Sequence, residues 1–191
     1  MMKTLFSFFA IVMVFFAGCA KDYTSDESLS SVELKKAKVA IPFKADLCAV
    51  PDMDSEPIFL PVPGFDPSNP AHYCKKKMII SGNGTHLGRV DGSGTSYYEV
   101  EGTEFMVEDS KPLLFQYGTG ILVAANGDSF EFTWWVKSYL PEQIWAGEFE
   151  ITPGSGTGKF QGISGILPSN GQANSVEHIN CWTSEGFIEF E

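Results

Sequence analysis

GILVAANGDSFEFTWWV, residues 120–136, reads as two strands joined by a tight turn. Asn126-Gly127 is the strongest short hairpin signal, because a two-residue type I′ turn needs positive φ at both central positions. With these two residues as the loop, one face of both strands is apolar, which defines the register of the pair. The predicted pairs on that face are Val123–Phe130, Ile121–Phe132 and Thr119–Trp134, and the face continues to Tyr117 and Val136.

Similar alternation of apolar and polar residues predicts strands on both sides of this hairpin. VAIPFKADLCAV, residues 39–50, places Val39 to Leu47 at every second position on one face, and Pro42 favours an edge or a closure seam. After the hairpin, Trp145, Phe149 and Ile151 alternate with Glu148 and Glu150. Frequent Gly and Pro argue against long helices and for many short strands.

The chain closes with GFIEFE, in which Ile188 and Phe190 alternate with glutamates. A last strand that runs to the end of the sequence needs a partner or leaves an open edge. We expect that partner to be the first strand, which would close the sheet into a barrel. About eight strands is the size at which side chains fill the interior or leave room for one small ligand.

Two stretches between the strands are unusual. Residues 51–72 contain six of the eleven prolines and predict an extended loop without strands, of the kind that serves as a lid or a binding loop. SGNGTHLGRVDG, residues 81–92, predicts a glycine-bent strand with Leu87 facing inward and His86 outward. For Arg89, the only arginine, a surface ion pair with Asp91 and an anion clamp are both open interpretations.

The N-terminus has the order of a secretory signal. Lys3 precedes an uncharged apolar run of 13 residues from Leu5 to Ala17, too short to span a membrane as a helix. The stretch Phe-Ala-Gly-Cys, residues 16–19, resembles the lipobox of bacterial lipoproteins, which implies lipidation of Cys19 and stable anchoring by several acyl chains. The polar stretch that follows predicts a flexible tether. We therefore expect a signal peptide at 1–18, a tether at 19–38 and a β-barrel domain at 39–191. The expected location is the cell envelope, where the lipid anchor would hold the protein in the outer membrane, on its periplasmic or its surface-exposed side.

Composition excludes some partners and some chemistry. Removing residues 1–18 takes away only Lys3, so 12 basic and 24 acidic residues remain, and this charge disfavours nucleic acid. No nucleophile elbow, phosphate loop or dinucleotide fingerprint indicates an enzyme class or a cofactor. The three histidines are dispersed, and no metal site is predicted.

Three cysteines remain once Cys19 is modified, which predicts one disulfide and one free thiol in an oxidising compartment. Cys48 ends the first strand and Cys74 begins the next, so a Cys48–Cys74 bridge is favoured if these strands are neighbours. Cys181 is the rival partner for either residue.

Three motifs together resemble a family. GNGTHLGR (82–89), AANGD (124–128) and GEFEITPGSGTGKFQGISG (147–165) resemble bacterial barrels related to allene oxide cyclase and plant dirigent proteins. The resemblance implies an eight-stranded antiparallel barrel of calycin-like shape. Its glycines mark barrel corners, and no catalytic residue can be carried over from the family.

Three functions are open. The leading hypothesis is a lipid-anchored module that binds a small apolar or aromatic-stacking ligand, motivated by an aromatic inner face and a long proline loop over the mouth. The alternatives are a confinement-type enzyme resembling the cyclases, and a structural or adaptor lipoprotein with a packed interior, whose protein partner is unspecified. The candidate ligand-binding residues are Tyr117, Phe132, Trp134, Trp145 and Arg89, within a face that also includes Phe130 and Phe149.

Overall fold

A computed structural model describes residues 39–66, 68–69, 72–140, 142–174 and 177–190. This part of the chain is all-β and contains no α-helix, as the sequence predicts. Its strands are β1 Val39–Pro51, β2 Pro57–Phe59, β3 Tyr73–Lys75, β4 Lys77–Gly84, β5 Gly88–Asp91, β6 Tyr97–Glu108, β7 Lys111–Val123, β8 Ser129–Tyr139, β9 Ile144–Ile151, β10 Ile163–Asn174 and β11 Ile179–Phe190.

Eight of these strands are hydrogen-bonded in a closed ring. The order is β1-β11-β10-β9-β8-β7-β6-β4, and β4 pairs back onto β1, with all neighbours antiparallel. Strand β5 adds to β4, and β2 and β3 form a separate two-stranded ribbon. The predicted pairing of the first strand with the last is confirmed, from Val39 opposite Phe190 to Ala49 opposite Asn180.

This seam carries the disulfide, and the predicted Cys48–Cys74 bridge is wrong. Cys48 is bonded to Cys181, directly opposite on β11 with a Cα–Cα distance of 4.0 Å, and Cys74 is a free thiol. The predicted outward face of the first strand explains the pairing, because Cys48 points away from the ring interior while Leu47 and Ala49 are buried. Cys74 lies instead on the β2–β3 ribbon.

Alternation places the core inside the ring. Strand β1 buries Phe43, Ala45 and Leu47 of the predicted face, and also Ala49, whereas Val39 on that face is exposed. Strand β9 buries Trp145, Phe149 and Ile151 in the same way. The interior is thus lined by large apolar side chains contributed by all parts of the ring.

The hairpin at Asn126-Gly127 exists, but its predicted register is wrong by one residue. Gly127 N–H donates to Ala124 C=O (2.9 Å) and Ala124 N–H donates to Asp128 C=O (2.8 Å), which makes the loop three residues long. Gly127 has φ of 90°, as expected for a turn that ends in a left-handed residue. The longer loop shifts β7, so that Leu122 rather than Val123 lies opposite Phe130.

The shift exchanges the inward-facing and the outward-facing residues of β7 relative to the prediction. Phe132 and Trp134 of β8 are buried as predicted, and the residues opposite them are Gly120 and Gly118. A Cβ on Gly120 would collide with the ring of Phe132, so the glycine makes room for the aromatic side chain. Tyr117 consequently faces outward and is 38% exposed.

The two ends of the ring differ. At one end Phe160, in a 3₁₀ turn at Gly158–Phe160, is fully buried and packs edge-on against Phe130, and Leu87 is buried nearby. At the other end, Pro51, Met53, Pro57 and Leu60, which belong to the described part of the proline-rich segment 51–72 (the proline loop), line a groove together with Ala173 and Ile179 of the ring. The segment was predicted to lack strands, but its Pro57–Phe59 pairs with Tyr73–Lys75 as β2 and β3.

The stretch 81–92 forms the β4–β5 hairpin at the filled end. Leu87 is buried and His86 is exposed, as predicted, with His86 at φ of 66° in the turn. Arg89 is exposed on β5. Hydrogen bonds from Ser93 to Asp91, with a smaller contribution from the charge of Arg89, hold the pKa of Asp91 below its usual value.

The predicted signal peptide, Cys19 and the tether lie outside the described residues. Within the residues that are described, no helix has the length and apolar character needed to cross a bilayer.

Candidate functional site

An inner cavity of about 130 Å³ lies inside the ring, near the end that the proline loop covers. Its lining includes the aromatic residues Tyr98, Trp134, Trp145, Phe149 and Trp182 and also the polar residues Gln116 and Ser138. Trp134 is in edge contact with Tyr98 at 5.1 Å between ring centroids, and Phe149 with Trp182 at 5.7 Å. The interior of the ring is therefore filled with side chains at one end, and at the other end it contains a cavity bordered by aromatic side chains.

A second space, the mouth groove, lies outside the inner cavity beneath the proline loop and has a volume of about 610 Å³. Its apolar lining includes Val50, Pro51, Met53, Leu60 and Ile179. Five residues line both spaces and therefore form the boundary between them: Cys74, Lys75, Met78, Ala173 and Asn180. The inner cavity and the mouth groove are thus neighbouring spaces at the same end of the ring.

The proline loop is held over this site by several contacts. Lys75 Nζ donates to the backbone oxygens of Met53 (2.9 Å) and Ser55 (2.7 Å). Lys77 forms an ion pair with Asp52 at 3.4 Å. Phe59 packs against Tyr73 of the ribbon at 4.8 Å between ring centroids. These contacts give the cover a defined position at the mouth.

A short chain of hydrogen bonds runs through the aromatic wall. Trp145 Nε1 donates to Asn180 Oδ1 at 2.7 Å, and Asn180 Nδ2 donates to Tyr98 Oη at 3.2 Å. Burial raises the pKa of Tyr98 to about 12, although the hydrogen bond from Asn180 partly opposes the shift. At neutral pH Tyr98 is therefore a neutral phenol whose own proton is available to an acceptor.

Trp182 provides a second polar atom in the wall. Its side chain is 4% exposed, and its indole N–H has no hydrogen-bond partner within the described residues. A buried indole N–H normally finds a partner, since burial without one loses its hydrogen bond to water. Trp182 therefore carries a buried donor without an acceptor among the described residues.

Cys74 contributes a thiol at the boundary between the two spaces. Burial raises the pKa of this thiol to about 11. Because the thiolate is the nucleophilic form, Cys74 is protonated and weakly reactive at neutral pH. Its position makes it a probe of access to the site.

The predicted ligand-binding residues divide into three groups. Trp134 and Trp145 line the inner cavity. Phe132 is buried deeper and stacks on Phe149 at 5.3 Å between ring centroids, outside the cavity lining. Tyr117 and Arg89 lie on the outer surface, so their predicted place at the site is wrong.

Sequence reasoning missed Tyr98, Asn180, Trp182 and the location of Cys74. Trp182 could have been found from the alternation of Trp182, Ser184 and Ile188 on the last strand, since Ile188 was already placed on its apolar face. Nothing in the sequence brings Cys74 to the mouth, because its position depends on the short pairing of the β2–β3 ribbon.

The site combines an apolar wall with a small number of polar side chains, among them the charged Lys75, an arrangement suited to binding a small molecule. No cluster of three metal-ligating side chains occurs in the part of the chain that the structure describes. Compared with family models, with curated proteins and with solved structures, the chain gives no match in any of the three comparisons.

Proposed function

We propose that this chain is a lipid-anchored envelope protein whose ring of strands binds one small apolar or aromatic-stacking molecule. The observation that carries the proposal is the inner cavity, whose wall includes tryptophan, tyrosine and phenylalanine side chains, next to the mouth groove under the proline loop. The lipid anchor rests on the lipobox-like sequence that ends at Cys19. Anchoring would keep such a binding site at the membrane surface.

The two volumes support a ligand of defined size. An apolar cavity of about 150 Å³ accommodates a benzene ring, so the inner cavity of about 130 Å³ suits one ring or a short branched group. The mouth groove, at about 610 Å³, lies within the usual range of ligand pockets, roughly 300–1,000 Å³. A ligand with a compact end and a longer apolar body would occupy both spaces.

We further assign the ring to the barrel type of allene oxide cyclase and dirigent proteins. Eight antiparallel strands in a closed ring support this assignment. So does the glycine-rich corner before Phe160, where a Cβ on Gly156 would collide with the backbone of Phe160. Glycine at such corners permits the close approach of two backbone segments.

A binding assay with the neutral fluorescent probe N-phenyl-1-naphthylamine tests the proposal. Ala173 lines both spaces, and Ala173→Trp would place an indole at their boundary. Ala146→Trp, at an exposed position on β9, is the matched control. We expect saturable binding to the wild type and to Ala146→Trp, and a loss of at least about tenfold in Ala173→Trp. Equal binding to all three proteins, or none to the wild type, would contradict the proposal.

A confinement-type enzyme is the second candidate, favoured by the neutral Tyr98 hydroxyl beside the inner cavity. An enzyme of this kind holds a reactive substrate in one conformation and uses few catalytic groups. Incubation of the wild type with a molecule that co-purifies with it distinguishes the two. A binding protein returns the molecule unchanged, whereas an enzyme releases an altered one.

A further inference from the structure

We propose that the outer face of strands β6–β9 docks a basic protein segment, whose arginine side chains stack on Tyr117 and Trp135 and pair with the glutamates beside them. The surface in question, the outer platform, consists of Phe115, Tyr117 and Trp135 together with Glu104 and Glu148. It lies on the outside of the ring of strands, so the inference goes beyond the proposed function of the interior.

Strand pairing places the aromatic side chains of the outer platform next to one another. Tyr117 on β7 lies directly opposite Trp135 on β8, and Phe115 precedes Tyr117 by two residues on the same face. Phe115 is stacked on Trp135 at 6.2 Å and tilted against Tyr117 at 6.0 Å between ring centroids. The three side chains therefore form one continuous aromatic group.

This aromatic group is accessible although it is packed against the sheet. Tyr117 is 38% exposed and Trp135 is 37% exposed. Gly102 on β6 lies opposite Tyr117, and a Cβ at this glycine would collide with the Tyr117 ring, so the ring extends over that strand. Large aromatic side chains that are held in place at a surface are typical of the anchor positions of protein interfaces.

Glutamates border the aromatic group on both sides. Glu148 on β9 lies directly opposite Trp135, and Glu104 on β6 lies directly opposite Phe115. Neither glutamate forms an ion pair with another of the residues that the structure describes. Two carboxylates without a counter-charge of their own therefore flank the aromatic side chains.

The charge of this surface determines which partner fits it. Lys137 also lies beside the platform, opposite Phe115, but its ammonium group is paired with Glu108 at 2.7 Å. The whole chain has a net charge of −11, so a second copy and an anionic membrane would both be repelled. A basic segment is the occupant whose charge complements the platform.

Arginine can use both components of the platform at once. Its planar guanidinium group stacks on aromatic rings, and its N–H groups bind a carboxylate in a bidentate manner. An arginine stacked on Trp135 would have Glu148 within reach, because directly opposite residues on neighbouring strands have Cβ atoms about 4.5–5.5 Å apart. Lysine offers only a compact point charge, so the expected partner is a segment that contains arginine.

Isothermal titration calorimetry with three capped octapeptides tests the inference. They alternate glycine with arginine, with lysine or with citrulline, which has the shape of arginine without its charge. We expect the wild type to bind the arginine peptide at least about tenfold more tightly than the citrulline peptide, and more tightly than the lysine peptide. Sodium chloride should weaken the binding, because it screens exposed charges.

Two variants separate the aromatic contribution from the charge. Trp135→Thr removes the stacking surface without changing the net charge, and we expect at least about a tenfold loss of affinity for the arginine peptide. Glu148→Gln keeps the shape of the side chain and should cost about threefold or more. The matched controls are Phe187→Thr, at an exposed position on β11, and Glu56→Gln, in the proline loop. Both should bind within about twofold of the wild type.

Several results would overturn the inference. One is no binding of the arginine peptide, or equal binding of the arginine and citrulline peptides. Another is an equal loss of affinity in Trp135→Thr and Phe187→Thr, because the peptide would then not recognise the platform. Tighter binding of cellohexaose than of the arginine peptide would assign the platform to a carbohydrate, and a wild-type dimer that Trp135→Thr dissociates would assign it to a second copy. None of these results bears on the inner cavity, so the proposed function is tested separately.

Discussion

Cys48 on the first strand of the ring and Cys181 on the last lie directly opposite each other and are joined by a disulfide. The bond therefore crosses the seam at which the ring closes. It links two residues 133 positions apart, so it connects the beginning of the folded domain to its end. The side chains lie on the outer face of the seam, beside the buried Leu47 and Trp182.

Loss of this disulfide should destabilise the domain. In the chain-entropy model a bond across so long a segment stabilises by about 4–5 kcal/mol, and measured values for disulfides are typically about 2–4 kcal/mol. We expect Cys48→Ser/Cys181→Ser to lower the free energy of unfolding by about 2–5 kcal/mol in urea titration. Cys74→Ser is the control and should change it by less than half as much. The reverse order of the two effects would contradict the seam disulfide.

The packing of the inner face of β7 should depend on glycine at position 120, opposite the ring of Phe132. Gly120→Ala places a methyl group against both the Phe132 ring and the backbone oxygen of Tyr97, and overpacking of this kind costs about 1–3 kcal/mol. In Gly120→Ala/Phe132→Leu we expect a part of this loss, about 1 kcal/mol, to be recovered in a double-mutant cycle, because the second substitution relieves the contact with Phe132 and leaves the one with Tyr97.

Gly127 provides the control for this cycle. A Cβ on Gly127 would meet nothing within 4 Å, so Gly127→Val destabilises through its positive φ rather than through contacts. Phe132→Leu should therefore have an additive effect with Gly127→Val. Additive effects with Gly120→Ala as well would mean that Gly120 does not face Phe132.

The hairpin shows how far the sequence alone leads. Alternation on β8 predicts Phe130, Phe132 and Trp134 inside, because large apolar residues occupy every second position. The same criterion fails on β7, where the inward-facing positions hold Gly118 and Gly120, because a side chain at either position would collide with neighbouring atoms. A pattern of hydrophobic residues does not identify a buried position that is occupied by glycine.

The site was predictable only in part for a related reason. Trp134 and Trp145 follow from strand periodicity, and both line the inner cavity. The hydrogen bonds that join Trp145, Asn180 and Tyr98 bring together β9, β11 and β6, which meet across the ring. Contacts of this kind depend on the order and stagger of all eight strands. The alternation of residues within one strand gives no information about either.

The thiol of Cys74 should react slowly in the folded protein. Burial raises its pKa from 9.0 to about 11, which reduces the thiolate fraction at pH 8 by about a hundredfold. We expect alkylation by iodoacetamide to be slower by about that factor than in the urea-unfolded protein, and to accelerate as the pH rises toward 11. A saturating probe in the mouth groove should slow it further. Equal rates in folded and unfolded protein would contradict the burial of Cys74.

Lipidation at Cys19 is a separate prediction, independent of the ring. Cys19→Ala should leave an uncleaved precursor or a mislocalised protein, and the mature form should no longer partition into detergent. The measurement is detergent phase separation combined with the intact mass of the protein from its own cells. A Cys19→Ala variant that remains membrane-associated as a mature protein would exclude the lipobox interpretation.

The central claim is that the ring holds a small molecule, and native mass spectrometry of the wild-type protein, purified from its own cells in mild detergent, tests it most directly. We predict a one-to-one complex with a neutral apolar molecule, released on unfolding and absent from Ala173→Trp, in which an indole occupies the boundary between the inner cavity and the mouth groove. A wild-type spectrum containing only the protein and its lipid anchor, together with no binding of any added neutral probe, would contradict the claim.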